Sequence, residues 1–66
     1  MCIKMRIVNS REFDQTVTGL VCAFGCIAER KRTLIWIWVF DSSELEIIRS
    51  ELEAVGSCYA GVVKID

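Results

Sequence analysis

The chain has 66 residues, 53% of them apolar, and a formal net charge of −1. That length holds one small domain, here expected to span residues 1–66, and the near-zero charge excludes a general electrostatic attraction to nucleic acid or acidic membranes. The longest apolar run, LIWIWVF at 34–40, has seven residues, far short of the roughly 20 that a membrane-spanning helix needs.

In chain order, CIKMRIV at residues 2–8 alternates, with Ile3, Met5 and Ile7 on one side and Lys4 and Arg6 on the other. This is the pattern of a half-buried strand. Asn9 or Ser10 can then cap a helix, and Glu12 and Asp14 suit its positive end. Phe13, Val17, Leu20, Val21 and Phe24 follow at helical spacing, and the pattern runs on through Ile27 and Ala28. Periodicity alone therefore allows one helix over 11–31. Gly25 favours a stop, because glycine inside a helix costs about 1 kcal/mol relative to alanine. Just past a helix end, it supplies a left-handed turn without steric cost. CIAER then becomes a short strand, KR a tight turn and TLIWIWVF the returning strand.

DSSELEIIRSELEAVG at 41–56 reads as a second helix, with a Ser43–Glu46 capping box and an inner face of Leu45, Ile48, Leu52 and Val55. It stops at Gly56, and SCYAGVVKI at 57–65 follows as a strand. Aligning Gly25 with Gly56 sets Val17 against Ile48, Val21 against Leu52 and Phe24 against Val55. The halves form a weak internal repeat of strand, capped helix, glycine stop and strand.

Two such halves give β-α-β-β-α-β, an α+β domain of the ferredoxin-like, split βαβ type. Four antiparallel strands carry both helices on one face, with the first and third strands central. The alternative is β-α-β-α-β with one long first helix. The preferred element order resembles that of ACT-like regulatory domains, heavy-metal-associated domains and RNA-recognition motifs. Their motifs are missing. Residues 8–13 read VNSREF where a metal chaperone has M-x-C-x-x-C, and the third strand lacks the RNA-recognition octapeptide. The resemblance is one of architecture, which does not give function.

The candidate chemistry is sparse. There is no histidine to serve as the usual base for a nucleophilic serine or cysteine. Glu44, Glu46, Glu51 and Glu53 fall on the outer side of the second helix as a solvated face, and the four glycines form no phosphate loop. Cys22 and Cys26, four apart, could join Cys2 and Cys58 around zinc. The glycine stop puts the first two on different elements, so all four are expected to be structural thiols. No enzyme activity, cofactor or metal is expected.

The most suggestive residues are Trp36 and Trp38, which share one face of a strand while Ile35, Ile37 and Val39 take the other. If the tryptophans lie on the open side beside Lys4 and Arg6, they form an amphipathic aromatic platform. Arg30, Lys31 and Arg32 are expected to cluster at the hairpin tip. A domain of this size buries only about 60% of its unfolded-chain surface. The apolar excess therefore predicts contact with another protein or a second copy. The expected function is a non-catalytic protein-binding module, of the kind phages and mobile elements encode as small inhibitors of host defence proteins. Its partner-binding residues are Trp36, Trp38, Lys4, Arg6, Arg30, Lys31 and Arg32. The alternatives are a homodimeric ACT-like sensor of a small molecule and a single-stranded nucleic-acid binder on the sheet face. The overall charge speaks against the last. MCIKMRIVNSREFD lacks the apolar core and cleavage site of a signal peptide. A soluble, cytoplasmic chain with reduced thiols is therefore expected.

Overall fold

A computed structural model describes residues 1–63. Six elements follow in the order β1 (Cys2–Arg6), α1 (Arg11–Phe24), β2 (Ile27–Lys31), β3 (Leu34–Trp38), α2 (Glu44–Ala54) and β4 (Tyr59–Val63). The strands form one antiparallel sheet in the order β2-β3-β1-β4. This is the ferredoxin-like arrangement, with β1 and β3 at the centre. Lys64 and Ile65, which the strand pattern included, lie outside the described residues.

Gly25 decides the fold where periodicity left two solutions. Its φ is +64°, and its N–H donates to the Val21 carbonyl at 3.0 Å. A side chain at that φ is disfavoured, so α1 ends and the chain turns into β2. The single long helix is thereby excluded. Gly56, its repeat partner, also has a positive φ, +94°. At the other end of α1, the extended Ser10 accepts a hydrogen bond from the Phe13 N–H at 3.1 Å, a true N-cap.

The second helix begins differently from the expected capping box. Ser43 is already helical, at φ −65° and ψ −21°, and its side chain caps nothing. Asp41 takes over, its Oδ1 accepting from the Ser43 N–H at 3.0 Å and its carbonyl from the Glu44 N–H. The turn that Asp41 closes starts the helical backbone before Ser43, which therefore lacks the extended conformation of a capping residue.

The core lies between the helices and one face of the sheet. Ile3, Met5, Ile35 and Ile37 are buried there against Phe13, Val17 and Leu20 of α1 and Ile48 and Leu52 of α2. Leu45, Val55, Val21 and Phe24 pack around them. Each fully buried aliphatic or aromatic side chain contributes about 1.5–3 kcal/mol. Burying Ile35 and Ile37 therefore fixes which way β3 faces, and no helix among the described residues covers the opposite face of the sheet.

Both sheet edges resist pairing with another strand. β2 carries Glu29, Arg30 and Lys31 on its edge. In β4 the partner of Lys4 is Gly61 but that of Met5 is Tyr59, so Ala60 bulges out of the ladder. Gly61 has φ +130°. Charges and bulges are the usual devices by which edges avoid growing.

Candidate functional site

Strand register lays the residues of the open face in rows across the sheet. The first row is Ile27, Trp38, Cys2 and Val63. The second is Glu29, Trp36, Lys4 and Gly61, and the third is Lys31, Leu34 and Arg6. One end of the face is thus apolar across all four strands and the other is cationic. Ile27 is 57% exposed. Phe40, two residues past Trp38, is 86% exposed at the same end.

The tryptophan rings are tilted by 46° with centroids 6.1 Å apart. The Lys31 ammonium stands 3.9 Å from the Trp36 ring centroid and that of Lys4 stands 5.7 Å away. Both distances fall within the range of a cation–π attraction, about 0.5–1 kcal/mol at an exposed site. Lys4 reaches its place across Gly61, where an added Cβ would lie 3.4 Å from Cε. Trp38 is half-buried, and no acceptor among the described residues meets its buried Nε1–H.

Of the sequence-derived site residues, Trp36, Trp38, Lys4, Arg6 and Lys31 share this face. Arg30 is on the opposite face, where its Nη2 meets Asp14 Oδ1 of α1 at 2.7 Å and its guanidinium lies 5.8 Å from the Phe13 ring. Arg32 belongs to neither face. It occupies the turn with Thr33, at φ +59°. The turn is Arg32–Thr33 rather than Lys31–Arg32, so Arg30 and Lys31 both fall in β2 and alternate. The basic tip expected of residues 30–32 is therefore divided between two faces and a turn.

Ile27, Cys2 and Val63 are not marked by the sequence as members of this face. Strand parity alone could have placed Cys2 with Lys4 and Arg6. The alignment of Ile27 and Val63 with Trp38 needs the register, which no local pattern carries. Cys2 is fully buried in the apolar row, and burial pushes its thiol pKa up despite the nearby N-terminal amine. Cys26 is buried in the core and is shifted the same way by burial. Cys22 and Cys58 are exposed. Among the described residues no three His, Cys, Asp or Glu side chains converge on a point that could hold a metal ion.

A concavity of about 340 Å³ lies between the helices and is lined by Gly19, Leu20, Ala23, Phe24, Ile47 and Glu51, among others. The helix side is net acidic, with Glu12 and Asp14 on α1 and Glu44, Glu46, Glu51 and Glu53 on α2 against Arg11, Arg49 and the Arg30 of β2. Charge is thus segregated between the two sides of the molecule. No helix among the described residues is long and apolar enough to cross a membrane. Comparison with protein-family models, curated proteins and solved structures found no match.

Proposed function

We propose that the protein is a non-catalytic binding module that engages another protein through the open face of its sheet. The observation that carries this is the uncovered face itself. It joins two tryptophans, three cations and an apolar row that includes the exposed Ile27. Tryptophan and arginine are the commonest anchors of protein interfaces. The role fits an inhibitor or adaptor that works by occupying a partner's surface, as small phage and mobile-element proteins do.

Two observations weigh against the alternatives. Bases stack on free aromatic faces, whereas the Lys31 ammonium lies 3.9 Å from the centroid of Trp36. A side-by-side, ACT-like dimer needs an edge strand ready to pair, and here one edge is charged and the other bulged.

The test is affinity capture from the native host with the parent chain, Ile27→Asp and Ile47→Asp. Ile27 and Ile47 are both exposed, on the sheet side and the helix side respectively, so neither change empties the core. A captured protein lost with Ile27→Asp and kept with Ile47→Asp supports the proposal. The reverse pattern defeats it.

A further inference from the structure

The rows of the open face say more about the occupant than that it is a protein. We infer that the partner presents an acidic amphipathic segment that runs along the strands, its apolar end on Ile27 and Trp38 and its carboxylates at Lys31, Lys4 and Arg6. This rests on the open sheet face being the binding surface.

The charge on that face is unbalanced. Among the described residues, Lys4, Arg6 and Lys31 stand against Glu29 alone, with Arg32 in the adjoining turn. Glu29 lies 3.9 Å from Lys31, an exposed contact that neutralises little. Covering this end with an apolar or basic surface would desolvate cations without pairing them, which is costly. Carboxylates on the partner offset that cost and direct the encounter.

A second copy of this chain does not supply them. A face-to-face dimer with its two-fold axis along the strands sets each row on itself in reversed strand order, so the third row gathers Lys31 and Arg6 of both copies with no carboxylate among them. With the axis across the strands, the first row meets the third strand by strand, so Ile27 lies against Lys31 and Cys2 against Arg6. Neither arrangement is self-complementary, as a two-fold interface must be. A face-to-face copy offers Glu29 as its one carboxylate among the described residues, in the second row, so the occupant we infer is an unlike chain.

The spacing of the rows adds geometry. Two residues along a strand advance about 6.6–6.8 Å, so the first and third rows are separated by about 13 Å. A helix laid parallel to the strands covers that distance in about nine residues. The segment would carry its apolar anchors and its carboxylates about that far apart on one face, and it binds in one direction only.

A random-peptide display library panned on the intact chain tests this. Synthesised winners are mapped by NMR chemical shifts, alongside poly-dT and anionic phospholipid vesicles. The expected winners combine aliphatic or aromatic anchors with a separate acidic stretch, and they shift Ile27, Trp36 and Trp38. Their affinity is expected to fall about tenfold or more in Ile27→Asp and, separately, in Lys4→Glu/Lys31→Glu. It is expected to weaken with salt. Lys4→Gln/Lys31→Gln removes the charge alone and keeps the test valid if the reversal disturbs folding. Neutral or basic winners on the same face overturn the acidic partner and leave the face as the binding surface. Winners that map to the groove between the helices, or no winners at all, overturn both. Tighter binding of poly-dT or vesicles than of any peptide on this face overturns both as well.

Discussion

Gly61→Ala is the smallest change that reaches both the fold and the open face. Gly61 has φ +130°, a conformation essentially confined to glycine, and a residue forced into it costs about 1–3 kcal/mol. Crowding adds little, because the new methyl would meet the flexible end of Lys4, at 3.4 Å from Cε and 3.8 Å from Nζ. A 66-residue domain has a stability of about 3–10 kcal/mol. The substitution therefore removes a large share, with Tm falling by about 4–8 °C per kcal/mol. Gly19→Ala is the internal control. Gly19 lies inside α1, and nothing stands within 4 Å of its added Cβ. There the same substitution stabilises by about 1 kcal/mol. Urea unfolding followed by far-ultraviolet circular dichroism reads both variants. The expected result is opposite shifts of the midpoint with unchanged m-values. If Gly61→Ala is as stable as the parent, the backbone strain at residue 61 is refuted, and with it the bulged geometry of the β4 edge.

Three other outcomes are expected. Ser57, 5% exposed, donates from Oγ to the Arg6 carbonyl at 2.6 Å. Ser57→Ala strips that acceptor of its partner and should cost about 1–3 kcal/mol, with faster amide hydrogen exchange where the Arg6 N–H meets the Cys58 carbonyl. In the folded chain a thiol reagent should modify the exposed Cys22 and Cys58 quickly and reach Cys2 and Cys26 only on unfolding. Burial holds the pKa of Cys2 and Cys26 above the unfolded value. The stability this contributes is complete below the ordinary thiol pKa of about 8.5, and it is lost as pH rises through the folded values. The urea midpoint should fall between neutral and alkaline pH, and fall less in Cys2→Ala/Cys26→Ala. An equal fall in both would refute the assignment.

The element order was legible because its signals are local. The alternation of Ile3 and Met5 with Lys4 and Arg6 marks β1, and glycines at 25 and 56 mark the helix ends in two near-equivalent halves. The apolar content of LIWIW on both faces marked β3 as central. Which of its faces is buried was not legible, because isoleucine and tryptophan both suit a core. The helices settle it by packing on Ile35 and Ile37. The platform of Trp36, Trp38, Lys4 and Arg6 was readable as a condition, and the register brings those residues onto one face. The basic tip failed by one residue. A turn at Arg32–Thr33 puts Arg30 and Lys31 on opposite faces, and a single-residue shift inverts every side chain in a strand. The apolar row and the bulge at Ala60 arise from pairing between distant strands, beyond the reach of local pattern.

The topology also bears on how the chain folds. β1 is central, yet its neighbour β4 lies at the far end of the described chain, with Cys2 opposite Val63. Such non-local pairing slows folding, because distant segments must meet before the contacts form. β3 has a local partner in β2, but until β1 and the helices join it, it is an exposed apolar strand, the kind of segment that seeds aggregation. Arg30, Lys31 and Arg32 come just before it and Asp41 just after. Divided as they are in the folded protein, these charges still flank the run in the unfolded chain, where they act as gatekeepers. The cluster that looked like one binding tip thus has a common task only before the sheet exists.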